Sequence, residues 1–312
     1  MHKPFAVLLA CLCLFAVSAA LSGCFSPGEA EPLSLVPSNA TSVSIAKVGE
    51  LASDSDFRAL YRAMYAGNDI DGHFSRIAGV AGADVRDAGD AVSFSLGIGR
   101  AGEATIMRAS RSESDFGGAS GPSGWERREY SGRTYYYAAA NSTAAAFVQG
   151  NAVAGGEMAV KAVLAVDAGG DSLEKNARIE AILAKLPSDA PLRSASVSPA
   201  SGAGEVSPFN YSSVFSAASG SGFAFRRNGA NAELTLAVLY STPVAALQAK
   251  PYAEAAITSL KGFAPPGGAV DSLLSGVACL NEAEFVACRA SPTFGALESA
   301  VEEWNAAMAE QP

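Results

Sequence analysis

Apolar residues recur along this chain in two rhythms, and their alternation sketches a fold before any chemistry is considered. Val43 and Ile45 alternate with Ser42 and Ser44, and Val92, Phe94, Leu96 and Ile98 alternate with Ser93, Ser95 and Gly97. A period of two sends alternate side chains to opposite faces, so both runs predict half-buried strands. Between them Phe57, Leu60, Tyr61, Met64 and Tyr65 recur at helical spacing as one apolar stripe. Ser53 is expected to open that helix with Asp56 as its capping-box partner, and Gly67 to close it. From Trp125 the chain reads as a meander, with strands near 125–130, 133–140, 143–149 and 152–155. Ser131-Gly132, Asn141-Ser142 and Gly150-Asn151 part them with residues that suit tight turns. Helices near 157–167 and 172–186 follow, the second capped by Ser172, then a strand from Leu192.

Residues 201–222 are rich in small side chains and have no clean period, which places a boundary there. The second half then reads as hairpin, helix, hairpin, helix. Asn228-Gly229 turns a strand around Phe223 and Phe225 into the alternating run Leu234, Leu236, Val238, Tyr240. Thr242-Pro243 has the form of a cap followed by proline at the first helical position, and Pro251 is expected to break that helix. Phe294, Leu297, Val301, Trp304 and Met308 are spaced 3-4-3-4, as in a helix covering a sheet or a coiled-coil seam. The predicted class is α+β, a largely antiparallel sheet built of hairpins and a meander interleaved with helices. Four segments are expected: a signal at 1–23, a tether at 24–40, and α+β subdomains at 41–200 and 201–312.

The N-terminus adds a location. His2 and Lys3 precede an apolar run from Phe5 to Ala20, the layout of a secretory signal. Leu21-Ser22-Gly23-Cys24 closes it with a cysteine where cleavage should fall, and this tetrapeptide resembles the lipobox of prokaryotic lipoproteins. The resemblance implies a diacylglyceryl thioether on Cys24, cleavage before it, and a mature chain held on a membrane surface in the cell envelope. An uncleaved anchor is the alternative, although the run is slightly short of the roughly 20 residues that span a bilayer. Cys11 and Cys13 sit mid-run without the small residues that precede Cys24. The stretch from about Pro37 to Val197 also resembles uncharacterised families of secreted prokaryotic proteins. It shares their Pro-x-Asn/Asp-Ala opening and a strand, glycine, then "Ala-Val-Lys" helix, here Ala152 to Lys161. That resemblance brings no active site with it.

Composition narrows the partners. At 49% hydrophobic and 17% charged, the chain has enough apolar content for a sizeable core, which excludes a disordered or fibrous class. The net charge is −9 and becomes about −10 without Lys3, the only charged residue of the signal. Basic residues never gather into a patch, so nucleic acid is excluded as a partner. With Cys24 lipidated, Cys279 and Cys288 remain as an even pair in an exported chain. A turn centred on Ala283-Glu284 would set them directly opposite each other, which predicts a disulfide; two buried free thiols are the alternative.

Catalytic sets are hard to assemble. His73 is the one histidine after His2, which removes multi-histidine metal sites, and no metal or other cofactor is expected. Asp69-Ile70-Asp71-Gly72-His73 imitates a calcium loop, but position 78 is Ala where a bidentate Glu is needed, so a polar turn between helices is the reading. Ser-x-x-Lys occurs at Ser44–Lys47 and Ser172–Lys175 without the partner motifs of serine acyltransferases. Tyr135-Tyr136-Tyr137 offers either stacking on a sugar or partner, with at least one ring exposed, or ordinary strand packing. Asn39, Asn141 and Asn210 begin Asn-x-Ser/Thr sequons, which mark surface. The expected function is a lipid-anchored envelope protein with a non-enzymatic binding or scaffold body, its partner an envelope protein or ligand. An exported carboxylate-based hydrolase and a lipid or lipoprotein carrier or assembly factor are the alternatives.

Overall fold

The strands are antiparallel throughout, and the chain divides into two compact units that each carry strands and helices. The computed structural model describes residues 30–64, 69–117, 124–197, 218–262 and 265–309. In chain order the first elements are β1 (Ser42–Lys47), α1 (Val48–Ser53), α2 (Ser55–Met64), α3 (Ile70–Ala81), β2 (Asp90–Ser95), β3 (Glu103–Arg108) and α4 (Glu113–Gly117). The meander follows as β4 (Glu126–Tyr130), β5 (Arg133–Ala138), β6 (Thr143–Val148) and β7 (Asn151–Gly156), then α5 (Glu157–Asp167), α6 (Ala177–Lys185) and β8 (Leu192–Val197). The remainder is β9 (Ala218–Asn228), β10 (Asn231–Tyr240), α7 (Pro243–Lys261), α8 (Ala269–Ser275), β11 (Ala278–Glu282), β12 (Phe285–Ala290) and α9 (Phe294–Ala309). The α+β class with an antiparallel sheet is therefore as the pattern predicts.

Residues 30–53 and 70–180 form the first unit, with strands in the order β1-β2-β3-β7-β6-β5-β4. The first two turns of the meander lie where their residues placed them, and the third falls at Gln149-Gly150 and not at Gly150-Asn151, because Asn151 already opens β7. Ser131 and Gly132 have φ of 51° and 73°, and Gln149 and Gly150 of 47° and 78°, the left-handed angles of two-residue hairpin turns. The strands β1 and β2 are not half-buried, as alternation predicted. Ser44 is 2% exposed, and Ser93 shares a 2.8 Å hydroxyl bond with Thr105 across the β2–β3 pair. Small hydroxyl side chains can line a covered face when they satisfy one another.

Helix α3 replaces the polar turn expected around His73. Ile70, Phe74, Ile77, Ala78 and Ala81 are buried on one face, a helical stripe that Gly72 and two aspartates disguise. Order also begins before Thr41. Pro32–Leu35 forms a 3-10 turn, and Leu35, Val36 and Ala40 are buried. The Leu173 amide donates to Val36 O at 2.7 Å, and Asn176 Nδ2 donates to the carbonyls of Ser38 and Ala40 at 2.9 and 3.0 Å. The expected tether of 24–40 is thus packed from Pro32 onward; a two-residue apolar pair is too short to show a period.

The second unit takes residues 54–69 and 181 onward, with strands β11-β12-β10-β9-β8. The expected subdomains 41–200 and 201–312 are corrected on both counts. The segment carrying α2 belongs with the C-terminal half, and the boundary falls at residue 181, not 201. Phe57 of α2 explains the first point, since its ring meets Phe225 of β9 at 4.8 Å and Phe294 of α9 at 5.2 Å, both edge-on. Glycines explain the second. Gly220 and Gly222 belong to β9, and a β-carbon on Gly222 would come within 2.3 Å of Ile182 of α6. Strand residues chosen for close helix approach look like linker in the sequence.

Helix boundaries follow the same logic. Asp54, not Ser53, caps α2, its Oδ1 accepting from the Asp56 and Phe57 amides at 2.9 and 3.2 Å. Thr242 caps α7 as expected, accepting from Ala245 at 3.1 Å. Pro251 does not break that helix, which runs unbroken through it. Pro251 and Leu247 lie on the exposed side, so the carbonyl deprived of its donor faces solvent. Ser172 makes no cap bond and opens only a 3-10 turn; Asn176 caps α6 instead, through the Ile179 amide at 3.3 Å.

Candidate functional site

A dense polar arrangement among the described residues of the first unit is built on β4, β5 and the first turns of α5. Glu157 is the first residue of α5, and Lys161 stands one turn further along the same face. Strand alternation brings Tyr135 and Arg128 to meet them; the two residues are direct cross-strand partners. Tyr135 donates to Glu157 Oε1 at 2.6 Å, while Lys161 Nζ and Arg128 lie 3.0 and 3.4 Å from the same oxygen. Lys161 Nζ also sits 5.4 Å from the Tyr135 ring centre and 5.7 Å from that of Tyr130, and Arg128 lies 4.1 Å over Tyr137.

The electrostatics run toward cross-linking. The Tyr135 hydroxyl, then Lys161, hold the Glu157 carboxyl below its usual range. Glu157 in turn raises Lys161. Both groups therefore stay ionised at neutral pH. A general acid or nucleophile would need shifts the other way, a carboxyl pushed up or an ammonium pushed down. Asp69 and Asp115 are likewise held below the usual carboxylate range. Asp69 shows the contest clearly. Partial burial works to raise it, but hydrogen bonds from Arg62 and Arg58, both 2.6 Å away, win and lower it to about 2.

The tyrosine run packs. Tyr135 and Tyr136 are both buried, on opposite faces of β5, and Tyr137 is half-buried, so no ring of the three is fully exposed. Tyr136 lies edge-on to Phe116, 5.1 Å between centres, and its hydroxyl reaches Glu113 at 3.4 Å. Ser44 and Lys47 do not meet productively. They occupy one strand three residues apart and so face opposite ways, with Lys47 paired to Glu50 at 3.8 Å. Lys175 pairs with Asp171 beside Ser172. His73 packs edge-on against Phe74, and burial lowers its pKa. Asn39 and Asn141 are exposed, while Asn210 lies outside the described residues.

Cys279 and Cys288 are joined by a disulfide across the β11–β12 hairpin, directly opposite each other in register. The turn between the strands is Ala283-Glu284, with Ala283 at φ 56°. The bridge sits in a buried cluster with Val238, Tyr240, Ala246, Ala249 and Val286 beneath α7. Cys24 lies outside the described residues. The cluster around Glu157 was missed as a unit, although its signal was present: a tyrosine run on one strand and the Ala-Val-Lys helix beside it. Among the described residues no helix is long and apolar enough to cross a membrane, and no three His, Cys, Asp or Glu side chains gather to hold a metal.

No family model and no curated protein matches the chain. Among solved structures, the chain is similar to those of TP0453. Crystal form III is 11% identical over 88% of this chain and 98% of that one, with a TM-score of 0.48. Crystal form I is 11% identical over 89% and 98%, with a TM-score of 0.45. Likeness at this level says nothing about what this chain does.

Proposed function

We propose that this protein is a lipid-anchored, extracytoplasmic envelope protein whose α+β body works by binding or scaffolding and not by catalysis. The observation that carries the reading is the Cys279–Cys288 disulfide. Disulfides persist in oxidising compartments, which agrees with the export implied by Leu21-Ser22-Gly23-Cys24. One lipid-bearing cysteine and one bridged pair then use every cysteine after the apolar run. The polar clusters support a non-enzymatic body, because Glu157, Lys161 and Asp69 are all shifted toward permanent charge and mutual pairing.

The test is metabolic labelling with a radioactive fatty acid in a prokaryotic host that processes lipoproteins. The wild-type chain should take up label and partition into the detergent phase. Cys24→Ala should lose the label and accumulate as a larger precursor. Equal labelling of Cys24→Ala would refute the anchor.

A further inference from the structure

We infer that the end of the first unit bearing the β4–β5 and β6–β7 turns rests against the headgroup phosphates of the membrane that holds Cys24. This rests on the anchored reading above and adds an orientation to it. The decisive contact is between Asn151 and Ala30. Asn151, fully buried at the start of β7, donates through Nδ2 to Ala30 O at 3.0 Å and to Gln149 O at 3.1 Å. Pro32, Leu35 and Val36 are buried immediately afterwards, so the chain is bolted to this unit from residue 30.

Ala30 lies six chain steps from Cys24. Fully stretched they reach at most about 21 Å, and a relaxed chain of that length spans about 13 Å. The headgroup zone takes about 6 Å of that. The Asn141-Ser142 turn stands at the opposite end of the strands, eight residues along β6 from Gln149-Gly150. At the rise of a β-strand this is about 26 Å. With the far turn against the membrane, Ala30 would stand about 32 Å above the lipid glycerol, beyond the reach of the stretched tether. With the near end down it lies well within the relaxed span.

The surface of that end suits headgroups. The strand register places Tyr130 and Arg133 at the β4–β5 turn, Arg108 at the end of β3 and Lys47 at the end of β1 all on this side. Tyr130 is exposed and Arg133 half-exposed, the latter paired to Asp167 at 2.7 Å. Aromatic rings and basic side chains favour the interfacial level of a bilayer. The chain's overall charge of −9 opposes adsorption to anionic lipid, so the short tether and not bulk attraction holds this end in place.

The full lipidated protein in vesicles of phosphatidylcholine with a headgroup quencher tests this. Ser131→Cys and Ser142→Cys give matched labels, both exposed turn positions of positive φ at opposite ends of the sheet. Fluorophore at 131 should be quenched several-fold more than at 142. Inserting twelve Gly/Ser residues between Glu29 and Ala30 should level the two while the protein still floats with the vesicles. Equal quenching without the insertion, or stronger quenching at 142, overturns the orientation alone. Asymmetry that survives the insertion overturns the tether as its cause. A protein that does not float overturns the anchored reading, and this inference with it.

Discussion

At the scale of single residues, Glu157 gathers a tyrosine hydroxyl, a lysine and an arginine on one carboxylate oxygen, and each donor favours its ionised form. Removing the shortest bond by Tyr135→Phe should cost about 1.5–3 kcal/mol at neutral pH, the range for a bond to a charged acceptor. Because the folded pKa of Glu157 is depressed, this contribution is fully present above its unfolded value near 4.3 and is lost as pH falls through the lower folded value. Urea unfolding of both proteins from pH 7 to 3 should show the difference shrinking toward the acid end. His73 behaves in the same direction for another reason. Burial lowers its pKa, so protonation is easier in the unfolded chain, and stability should fall as pH drops below about 6.5. In His73→Gln the unfolding midpoint should stay flat between pH 7 and 5.5, where carboxylates with depressed values do not titrate. A slope as steep as that of the wild type would assign it to another group.

At the scale of elements, the sequence reveals structure where local chemistry and final conformation agree. Ser131-Gly132, Gly150 and Gly229 announce turns because their positive backbone angles suit few other residues, and the cysteine pair follows from a two-residue turn. It misleads where packing overrides the local signal. Gly72 hides α3, Gly220 and Gly222 hide the first half of β9, and Pro251 falsely divides α7. The Glu157 site was legible only as separate strand and helix patterns, since nothing local says that Tyr135 and Lys161 share one carboxylate. Pro251 makes a testable case. Pro251→Ala restores an amide donor one turn after Leu247, on an exposed face, and should stabilise by about 1–3 kcal/mol, read as a raised Tm. The β11–β12 bridge should act oppositely when lost. Cys279→Ala with Cys288→Ala should cost up to about 3 kcal/mol, as expected for a short closed loop, and amide exchange in β11, the terminal strand of its sheet, should quicken most.

At the scale of the whole molecule, chain order and structural order part company, because the second unit takes α2 from a position more than a hundred residues before its other elements. This helix is wired in at several points. Phe57 stands edge-on to both Phe225 and Phe294, and Arg227 lies 4.3 Å over the Phe294 ring. The same guanidinium reaches the Asp54 and Asp56 carboxylates at 2.7 Å, and Asn305 Nδ2 donates to Ala63 O at 2.9 Å. A fragment cut at the boundary the sequence suggests, residues 201–312, would keep Phe225, Phe294 and Arg227 but lose Phe57, which packs on both rings, and Asp54 and Asp56, which pair with Arg227, together with β8. Large aromatic residues left uncovered in this way cost about as much as their truncation, 3–5 kcal/mol for a phenylalanine by order of magnitude, roughly a third or more of a typical domain's stability. The fragment is therefore expected to show no cooperative urea transition and no near-ultraviolet circular dichroism. In the full chain Phe57→Ala alone should lower the urea midpoint of the second unit by an amount equivalent to about 3–5 kcal/mol. Cooperative unfolding of the 201–312 fragment would show instead that α2 is a passenger on a body that stands without it.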